Sequence, residues 1–320
     1  MTDTDIRHAP LITALITPFD EYGKVDTCAL ERLVKHLCQP QGTDAVLVNG
    51  TTAEAPTLSH EEKRLTLKTV QKSVPAHIPV MACVGSNNTA QSIEEAKKLV
   101  EETGVRHLLI SSPYYNRPPQ EGLIVHFQRI AEALPDIQMV LYNIPSRTGV
   151  EIEPDTMGAL YGLCPNIVGV KQSMGCMESA SRIIQHQKQY GQRVRLWSGD
   201  DSLTLPMMAC GAYGVVSVSA HVVAPQLKRM IDAFHQGDIR IAQAIHLQLL
   251  DLHKDLFRRP NPTMIKALLS ELGLIFDSVR LPLLSLHDTT LVRLLQCHIE
   301  SLGLEEVFSE IPSSTELATQ

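Results

Sequence analysis

The chain has 320 residues, of which 44% are hydrophobic and 20% are charged, and its formal net charge is −7. This length suits one large α/β domain or two ordinary ones and is enough to bury a sizeable core. The acidic balance argues against a nucleic-acid surface as the main function, and no apolar run reaches the ~18 residues of a membrane helix.

Eight short apolar runs, rich in β-branched residues, recur along the chain. Such runs are typical of buried parallel strands, because these strands are apolar on both faces. The predicted strands cover residues 11–17, 45–48, 78–84, 107–111, 138–142, 167–171, 194–197 and 214–218.

The longer stretches between these runs are amphipathic and predict helices. Ser59 followed by Glu62 is a capping box at the start of one helix, and Gly104 is a typical stop at the end of the next. After residue 224, helical patterns follow one another with no further strand between them. The predicted helices cover residues 26–39, 59–74, 89–103, 120–134, 176–190, 225–236, 239–256, 263–272 and 291–302.

The alternation of strands and helices, at about thirty residues per unit, predicts an α/β fold of the (β/α)8 TIM barrel type. A doubly wound open sheet is the alternative, but no G-x-G-x-x-G follows the first strand. We predict a barrel core with an N-terminal lead in residues 1–225. The last barrel helix and a C-terminal helical extension follow in residues 226–308, and the polar residues 309–320 are predicted to be a disordered tail.

The seven cysteines are scattered and form no C-x-x-C pair, which favours free buried thiols in a reducing compartment. Residues 1–10 contain no apolar run, so no signal peptide is predicted. We therefore expect a cytoplasmic protein that has neither a membrane nor a nucleic acid as its partner.

In a TIM barrel the active site lies at the carboxyl ends of the strands. Lys171 ends the sixth predicted strand and would point into the barrel mouth. Burial disfavours an ammonium group, and a neutral amine is the nucleophile that forms a Schiff base. The alternative is a lysine that extends from the strand end into solvent.

Three other segments also follow strand ends. Residues 50–54, Gly-Thr-Thr-Ala-Glu, could offer N–H groups to an anion and hydroxyls to a proton relay, or could be a plain strand-to-helix turn. Tyr142 could act as an acid or base, and Arg147 could bind a carboxylate. The alternative is that Tyr142 is a core residue and Arg147 faces solvent. The adjacent Tyr114 and Tyr115 indicate a site or an interface, or simple packing under a loop.

Asp200 and Asp201 follow the seventh predicted strand. Paired aspartates could bind a metal ion, but no cluster of histidine or glutamate with ligand spacing accompanies them. Helix N-capping is therefore the favoured role of these carboxylates. A metal-dependent barrel hydrolase stays open as an alternative, and so does a barrel without catalytic activity.

Together these segments resemble the dihydrodipicolinate synthase and N-acetylneuraminate lyase family, and within it the synthase branch. The resemblance runs from about residue 14 to about residue 283 and includes Asn261-Pro262 and Lys266. The motifs that carry it are Gly50-Thr51-Thr52-x-Glu54, Tyr114-Tyr115-Asn116, Tyr142-Asn143-x-Pro145-x-Arg147-Thr148-Gly149, Gly169-Val170-Lys171 and Gly199-Asp200-Asp201.

The resemblance implies a lyase of the Schiff-base aldolase type. Such an enzyme joins pyruvate to L-aspartate 4-semialdehyde and gives 4-hydroxy-tetrahydrodipicolinate for lysine and diaminopimelate biosynthesis. Lys171 would hold pyruvate as an imine and Tyr142 would carry protons. Thr52 and Tyr115 would be the relay partners of Tyr142, with Tyr115 reaching in from a neighbouring subunit. A homodimer or homotetramer is therefore expected.

The substrate contacts are implied in the same way. The amides of Thr51 and Thr52 would bind the pyruvate carboxylate, and Arg147 would bind the carboxylate of the aldehyde. The backbone of Gly199 and Val216 would shape the pocket. No metal or bound cofactor is then needed. Another pyruvate lyase of the same family, acting on sialic acid or keto-sugar acids, is the alternative, but polyol substrates need hydroxyl partners rather than the carboxylate clamp of Arg147.

The family's lysine-inhibited bacterial members carry an effector pocket at a dimer interface. Three of its usual residues are kept here and three are replaced: His60, Asn87 and Tyr114 are kept, and Ala55, Lys63 and Gln91 stand for the usual serine, second histidine and glutamate. Lys63 adds positive charge, and Gln91 lacks the carboxylate that would pair with the ammonium of a lysine ligand. We therefore predict weak or absent inhibition by lysine.

Overall fold

The structure, a computed structural model, describes residues 5–304 of the chain. Eight parallel strands pair in sequence order, and the first closes against the last with Leu11 opposite Val215. The predicted (β/α)8 barrel is thereby confirmed. The strands are β1 Leu11–Ala14, β2 Ala45–Val48, β3 Val80–Val84, β4 His107–Ser111, β5 Gln138–Asn143, β6 Ile167–Gln172, β7 Arg195–Ser198 and β8 Gly214–Ser217.

Helices surround the barrel and continue beyond its last strand. Ser59 and Glu62 form the predicted capping box, and Gly104 ends its helix in the left-handed region with φ of 69°. The helices are α1 Thr27–Leu37, α2 His60–Ser73, α3 Thr89–Thr103, α4 Gln120–Ala133, α5 Pro145–Thr148, α6 Pro154–Leu163, α7 Met177–Gln187, α8 Thr204–Ala209, α9 Ala220–Gln236, α10 Ile239–Asp255, α11 Thr263–Glu271 and α12 Thr289–Leu302.

Alternate residues of each strand enter two separate apolar clusters. Ile12 and Leu47 pack inside the barrel, whereas the preceding Leu11 and Val46 pack outward against the helices. This alternation explains why the strands are apolar on both faces. Trp197 belongs to the inner cluster, and its indole N–H donates to the carbonyl oxygen of Ala9 at 2.8 Å. The N-terminal lead thus packs against the barrel interior.

Helix α6 was not among the predicted helices. It contains Gly158 and Gly162, and glycine lowers helix propensity. A Cβ atom at Gly158 would lie 2.5 Å from the Nδ1 atom of His186 in α7, so the missing side chain allows the two helices to approach closely. The packing of α6 against α7 explains this glycine. The sequence of α6 alone does not show that contact.

Helix α9 begins earlier than predicted, at Ala220 rather than Pro225. Proline lacks an N–H group and favours a helix start, which is why the prediction began there. The chain instead kinks at Val223, with φ of −127° and ψ of 28°, and continues through the proline. The boundary predicted between residues 225 and 226 falls inside this helix. The predicted tail, residues 309–320, lies outside the described residues.

All seven cysteines are free thiols. Cys164 is buried, but Cys28, Cys176 and Cys297 are exposed, so the expectation of buried thiols is wrong for these three. In the described part of the chain, no helix is both long enough and apolar enough to span a membrane.

Candidate active site

Lys171 lies on β6, in register with Tyr142 of β5 and Trp197 of β7. Only 6% of the residue is exposed, which does not fit a lysine that extends into solvent. Its Nζ atom lies 4.5 Å from the centroid of the Tyr142 ring, whose face attracts a cation. Within residues 5–304, no carboxylate forms an ion pair with this lysine. A buried amine without a counter-charge is suited to nucleophilic chemistry.

The turn after β2 brings two threonines to the same mouth of the barrel. The Thr51 Oγ1 atom lies 3.5 Å from the hydroxyl oxygen of Tyr142, at the outer limit of a hydrogen bond. The Thr52 hydroxyl instead accepts a hydrogen bond from Nδ2 of Asn261 at 2.9 Å. The sequence prediction gave the relay role to Thr52, but the hydroxyl that lies next to Tyr142 is that of Thr51.

The backbone of this turn leaves two neighbouring N–H groups available. The amides of Ala53 and Glu54 close turns onto the carbonyl oxygens of Gly50 and Thr51. Those of Thr51 and Thr52 donate to no acceptor in the described part of the chain. Adjacent free N–H groups form a common binding site for an anion, so the turn has the donors that a carboxylate requires.

Gly199 lies beside the lysine, directly after β7. A Cβ atom at this position would lie 1.9 Å from Oγ of Ser173 and 3.1 Å from Cε of Lys171. Only glycine therefore leaves room for the lysine side chain at this wall of the pocket. Val216 is buried in the inner cluster and lies on β8, the strand that pairs with β7.

Arg147 lies in the short helix α5, which follows β5. Its side chain is exposed and has no hydrogen bond or ion pair with any other described residue. It lines a cavity of about 780 Å³ together with Thr51 and Tyr142. A free guanidinium at the rim of this cavity can bind a carboxylate with two parallel hydrogen bonds.

Of the two tyrosines after β4, Tyr114 reaches this site in the single chain and Tyr115 does not. Tyr115 is 88% exposed and has φ of 74°, a left-handed conformation that is costly for a residue with a side chain. Its backbone N–H donates to the carbonyl oxygen of Thr148 at 3.2 Å. Tyr114 is also exposed and lines the cavity. The predicted relay role of Tyr115 requires a second subunit.

All residues of the predicted effector pocket except Asn87 line the same cavity. His60 lines it and its Nε2 atom lies 3.1 Å from a carboxylate oxygen of Glu102. Lys63 also lines it, and its ammonium group is paired with Glu95 at 2.8 Å. Asn87 is not part of the cavity lining, although its carbonyl oxygen accepts a hydrogen bond from the side chain of Asn116.

The paired aspartates after β7 are occupied by hydrogen bonds within the fold. Asp200 accepts from the backbone N–H of Ser202, which is the predicted capping role. One oxygen of Asp201 accepts from the backbone N–H groups of Val218 and Ser219 at 3.0 Å each. Asp201 therefore fixes the chain directly after β8, a long-range role that the sequence does not reveal.

Sequence reasoning missed a polar residue of the cavity lining. Cys83 on β3 lines the cavity, and burial raises the pKa of its thiol to about 11. A thiol with so high a pKa is protonated near neutral pH and is a weak nucleophile. Inward placement on a strand is the signal that could have identified it, because alternate residues of β3 face the barrel interior.

Known proteins resemble this chain in both sequence and fold. The model of the dihydrodipicolinate synthetase family matches residues 7–297. A 4-hydroxy-tetrahydrodipicolinate synthase from Prochlorococcus marinus is 46% identical over 273 residues, which is 85% of this chain and 88% of the relative. One from Listeria monocytogenes is 44% identical over 278 residues, which is 87% of this chain and 93% of the relative.

Solved structures give the same assignment. Dihydrodipicolinate synthase from Aquifex aeolicus has a TM-score of 0.86 and 41% identity, and the match covers 93% of this chain and 99% of that one. The enzyme from Cyanidioschyzon merolae with lysine bound has a TM-score of 0.88 and 39% identity, with the same coverage of 93% and 99%. The chain therefore belongs to the dihydrodipicolinate synthetase family.

Proposed function

We propose that this enzyme condenses pyruvate with L-aspartate 4-semialdehyde to 4-hydroxy-tetrahydrodipicolinate, a step of lysine and diaminopimelate biosynthesis. The observation that carries the proposal is the buried, unpaired Lys171 beside Tyr142, which lines the same cavity as the free guanidinium of Arg147. The names and high coverage of the relatives support the same reaction.

The first half of the reaction forms an imine. The Lys171 amine attacks the ketone carbon of pyruvate, and the resulting alcohol leaves as water after it takes a proton from the Tyr142 hydroxyl. The N–H groups of Thr51 and Thr52 hold the pyruvate carboxylate meanwhile. The Thr51 hydroxyl, 3.5 Å from that of Tyr142, is our choice for the relay partner. Loss of a proton from C3 of the imine then gives an enamine.

The second half joins the two substrates. The enamine carbon attacks the aldehyde carbon, and the aldehyde oxygen gains a proton and becomes an alcohol. The amino group of the semialdehyde then attacks the imine carbon, which closes the ring and releases Lys171. Arg147 holds the carboxylate of the aldehyde, so that the attack becomes effectively unimolecular.

We propose further that the catalytic unit is at least a homodimer in which the partner's copy of Tyr115 completes the relay. The exposure and left-handed backbone of Tyr115 support this, since a fold keeps such a conformation where it has a purpose. Mixing inactive Lys171→Ala subunits with impaired Tyr115→Phe subunits tests it. Activity should return, because each mixed dimer contains one site with an intact lysine and an intact tyrosine. Mixtures that stay inactive would contradict a shared site.

We place the reaction in the cytoplasm. The free state of all seven cysteines supports a reducing compartment.

Trapping the imine tests the core of the proposal. Borohydride reduces an imine to a stable amine, so incubation with pyruvate and borohydride should give one pyruvate-derived adduct on Lys171, located by mass spectrometry. Lys266, the other buried lysine, is the internal control and should stay unmodified. Absence of any adduct in the folded protein would overturn the Schiff-base assignment. Faster consumption of a sialic or keto-sugar acid than of the semialdehyde would overturn the choice of aldehyde.

A further inference from the structure

The C-terminal extension reaches the threonine turn through a buried ion pair. Lys266 of α11 is 0% exposed and Glu54, which ends the turn, is 3% exposed. The Lys266 Nζ atom donates to Oε1 of Glu54 at 2.6 Å and to the carbonyl oxygen of Ser278 at 2.8 Å. The second carboxylate oxygen accepts from the backbone N–H of Arg280 at 2.8 Å. Both charged groups are therefore held by several hydrogen bonds.

Two features indicate that this pair does more than fill the core. Buried ion pairs are expensive to desolvate and are weak contributors to stability, so their placement calls for another reason. Glu54 also adopts the left-handed conformation, with φ of 57°, which persists only when the surroundings enforce it. Burial lowers the pKa of Lys266 to about 8, which indicates how far the lysine is removed from water.

A second contact from the extension reaches the same turn. Asn261 donates from Nδ2 to the hydroxyl oxygen of Thr52 at 2.9 Å, and this pair is buried. Between these two contacts, the hydroxyl of Thr17 donates to the carbonyl oxygen of Ala53. Side chains from outside the turn thus contact three successive residues, Thr52, Ala53 and Glu54. The free N–H groups belong to Thr52 and to the preceding Thr51.

We propose that Asn261, Lys266 and Glu54 are positioning residues that aim the N–H groups of Thr51 and Thr52 at the carboxylate of the keto acid. The inference rests on the proposed function, because it assigns these amides to pyruvate. None of the three touches the reacting atoms. They act through the conformation of the turn, so they should govern how well pyruvate binds and not how the aldehyde binds.

The expected effect is a selective loss of pyruvate affinity. Asn261→Ala should raise the pyruvate concentration for half-maximal imine trapping about tenfold, the equivalent of one lost hydrogen bond near 1.4 kcal/mol. The KM of the semialdehyde should stay within about twofold, because Arg147 is not linked to the turn. Lys266→Met should act in the same direction and more strongly, since it leaves the Glu54 carboxylate unpaired.

A double-mutant cycle separates a positioning role from general loosening. Thr52→Val removes the acceptor of the Asn261 hydrogen bond while it keeps the backbone amide. If Asn261 acts through this bond, Asn261→Ala adds little to the effect of Thr52→Val. The matched control is Lys228→Met, which breaks an ion pair with Asp44 of the same 2.6 Å length at the other end of the barrel. It should change thermal stability without changing the half-saturating pyruvate concentration.

Each outcome decides one question. An adduct in the wild-type protein with an unchanged half-saturation in Asn261→Ala overturns the positioning role and leaves the proposed function intact. A wild-type protein without an adduct overturns the proposed function itself. If Lys266→Met does not fold, Asn261→Ala and its double-mutant cycle with Thr52→Val still test the positioning role, because these variants keep the ion pair between Lys266 and Glu54. Equal losses of affinity for both substrates would also overturn the positioning role.

Discussion

Two lysines are buried in the part of the chain that the structure describes, in two regions of the molecule, and they differ in their partners. In the extension, Lys266 donates to the carboxylate of Glu54 and to a backbone carbonyl. In the barrel mouth, Lys171 faces the ring of Tyr142, which lines the cavity, and no carboxylate from residues 5–304 pairs with it. Both side chains are almost completely removed from water.

The different partners of Lys171 and Lys266 indicate that burial alone does not make a lysine reactive. An ion-paired ammonium group is stabilised in its charged form and is committed to holding two parts of the chain together. A lysine without such a partner holds no other part of the chain in place, so its amine remains accessible to a substrate. The presence or absence of a counter-charge thus separates a structural lysine from a catalytic one.

Lys171→Ala should cause the largest loss of activity, because it removes the proposed nucleophile. We expect a loss in kcat of about 10⁴-fold or more, because removal of a nucleophile leaves only binding and polar stabilisation. Steady-state kinetics and intact-mass analysis after borohydride treatment measure the effect. Lys266→Met should retain the adduct on Lys171. A pyruvate adduct on another lysine in the Lys171→Ala protein would contradict the assignment.

Tyr142→Phe keeps the ring beside Lys171 but removes its hydroxyl. We expect kcat to fall by about 10²- to 10³-fold, the usual contribution of a positioned general acid or base. The rate of adduct formation should fall with it. Tyr161→Phe is the matched control, because Tyr161 is also buried but its hydroxyl accepts from Gln187 away from the barrel mouth. A kcat unchanged in Tyr142→Phe would exclude the proton-carrier role.

Arg147→Gln should separate the two substrates. The KM of the semialdehyde is expected to rise about 10- to 100-fold, since a bidentate contact with a carboxylate is lost, while pyruvate half-saturation stays unchanged. Arg182→Gln on the exposed face of α7 is the control, because that arginine pairs only with Glu178. A loss of pyruvate affinity instead would mean that Arg147 serves the other substrate.

His221 is, like Lys266, a buried basic residue with a structural role. Its Nε2 atom accepts from the N–H of Ile16, and burial lowers its pKa from 6.5 to about 4. The unfolded chain therefore takes up the proton first as the pH falls. The free energy of unfolding should decrease between pH 6.5 and pH 4, at up to about 1.4 kcal/mol per pH unit from this residue.

Denaturant titrations across that pH range measure the slope. His221→Gln should flatten it, whereas His8→Gln at an exposed position should leave it as in the wild type. An identical slope in the wild type and in His221→Gln would show that the ring is not the group responsible.

The smallest expected effect concerns lysine added as a free amino acid. We predict that millimolar lysine leaves the activity unchanged, because Gln91 offers no carboxylate to the ammonium group of the ligand. Initial rates at fixed substrate concentrations measure this. Gln91→Glu should increase sensitivity to lysine. Strong inhibition of the wild type would contradict the prediction.

The features that the sequence predicted are those that depend on local pattern. The apolar runs located all eight strands, and the Ser59 capping box and Gly104 marked the ends of helices. The place of Lys171 one residue before the end of β6 also follows from such a pattern, because an apolar run that reaches a charged residue indicates a nearby strand end. These signals were sufficient for the fold and for the position of the barrel mouth.

The features that it did not predict depend on contacts between distant residues. Gly158 looks unfavourable for a helix until the ring of His186 is placed against it. The choice between the two threonine hydroxyls depends on Asn261, which contacts Thr52 from far along the chain. Tyr115 has its predicted role only if a second subunit supplies it, which no pattern within one chain can establish.

The long separation between the turn and its anchors also orders events in time. The eight strands, with Lys171 and Tyr142 among their residues, and Arg147 of α5 are made before the ribosome reaches Asn261 and Lys266. Those two anchors follow their partners Thr52 and Glu54 by 209 and 212 residues. Under the positioning role proposed above, a nascent or truncated chain carries the reactive groups without a finished carboxylate site. Affinity for pyruvate is then the last property that the growing chain acquires.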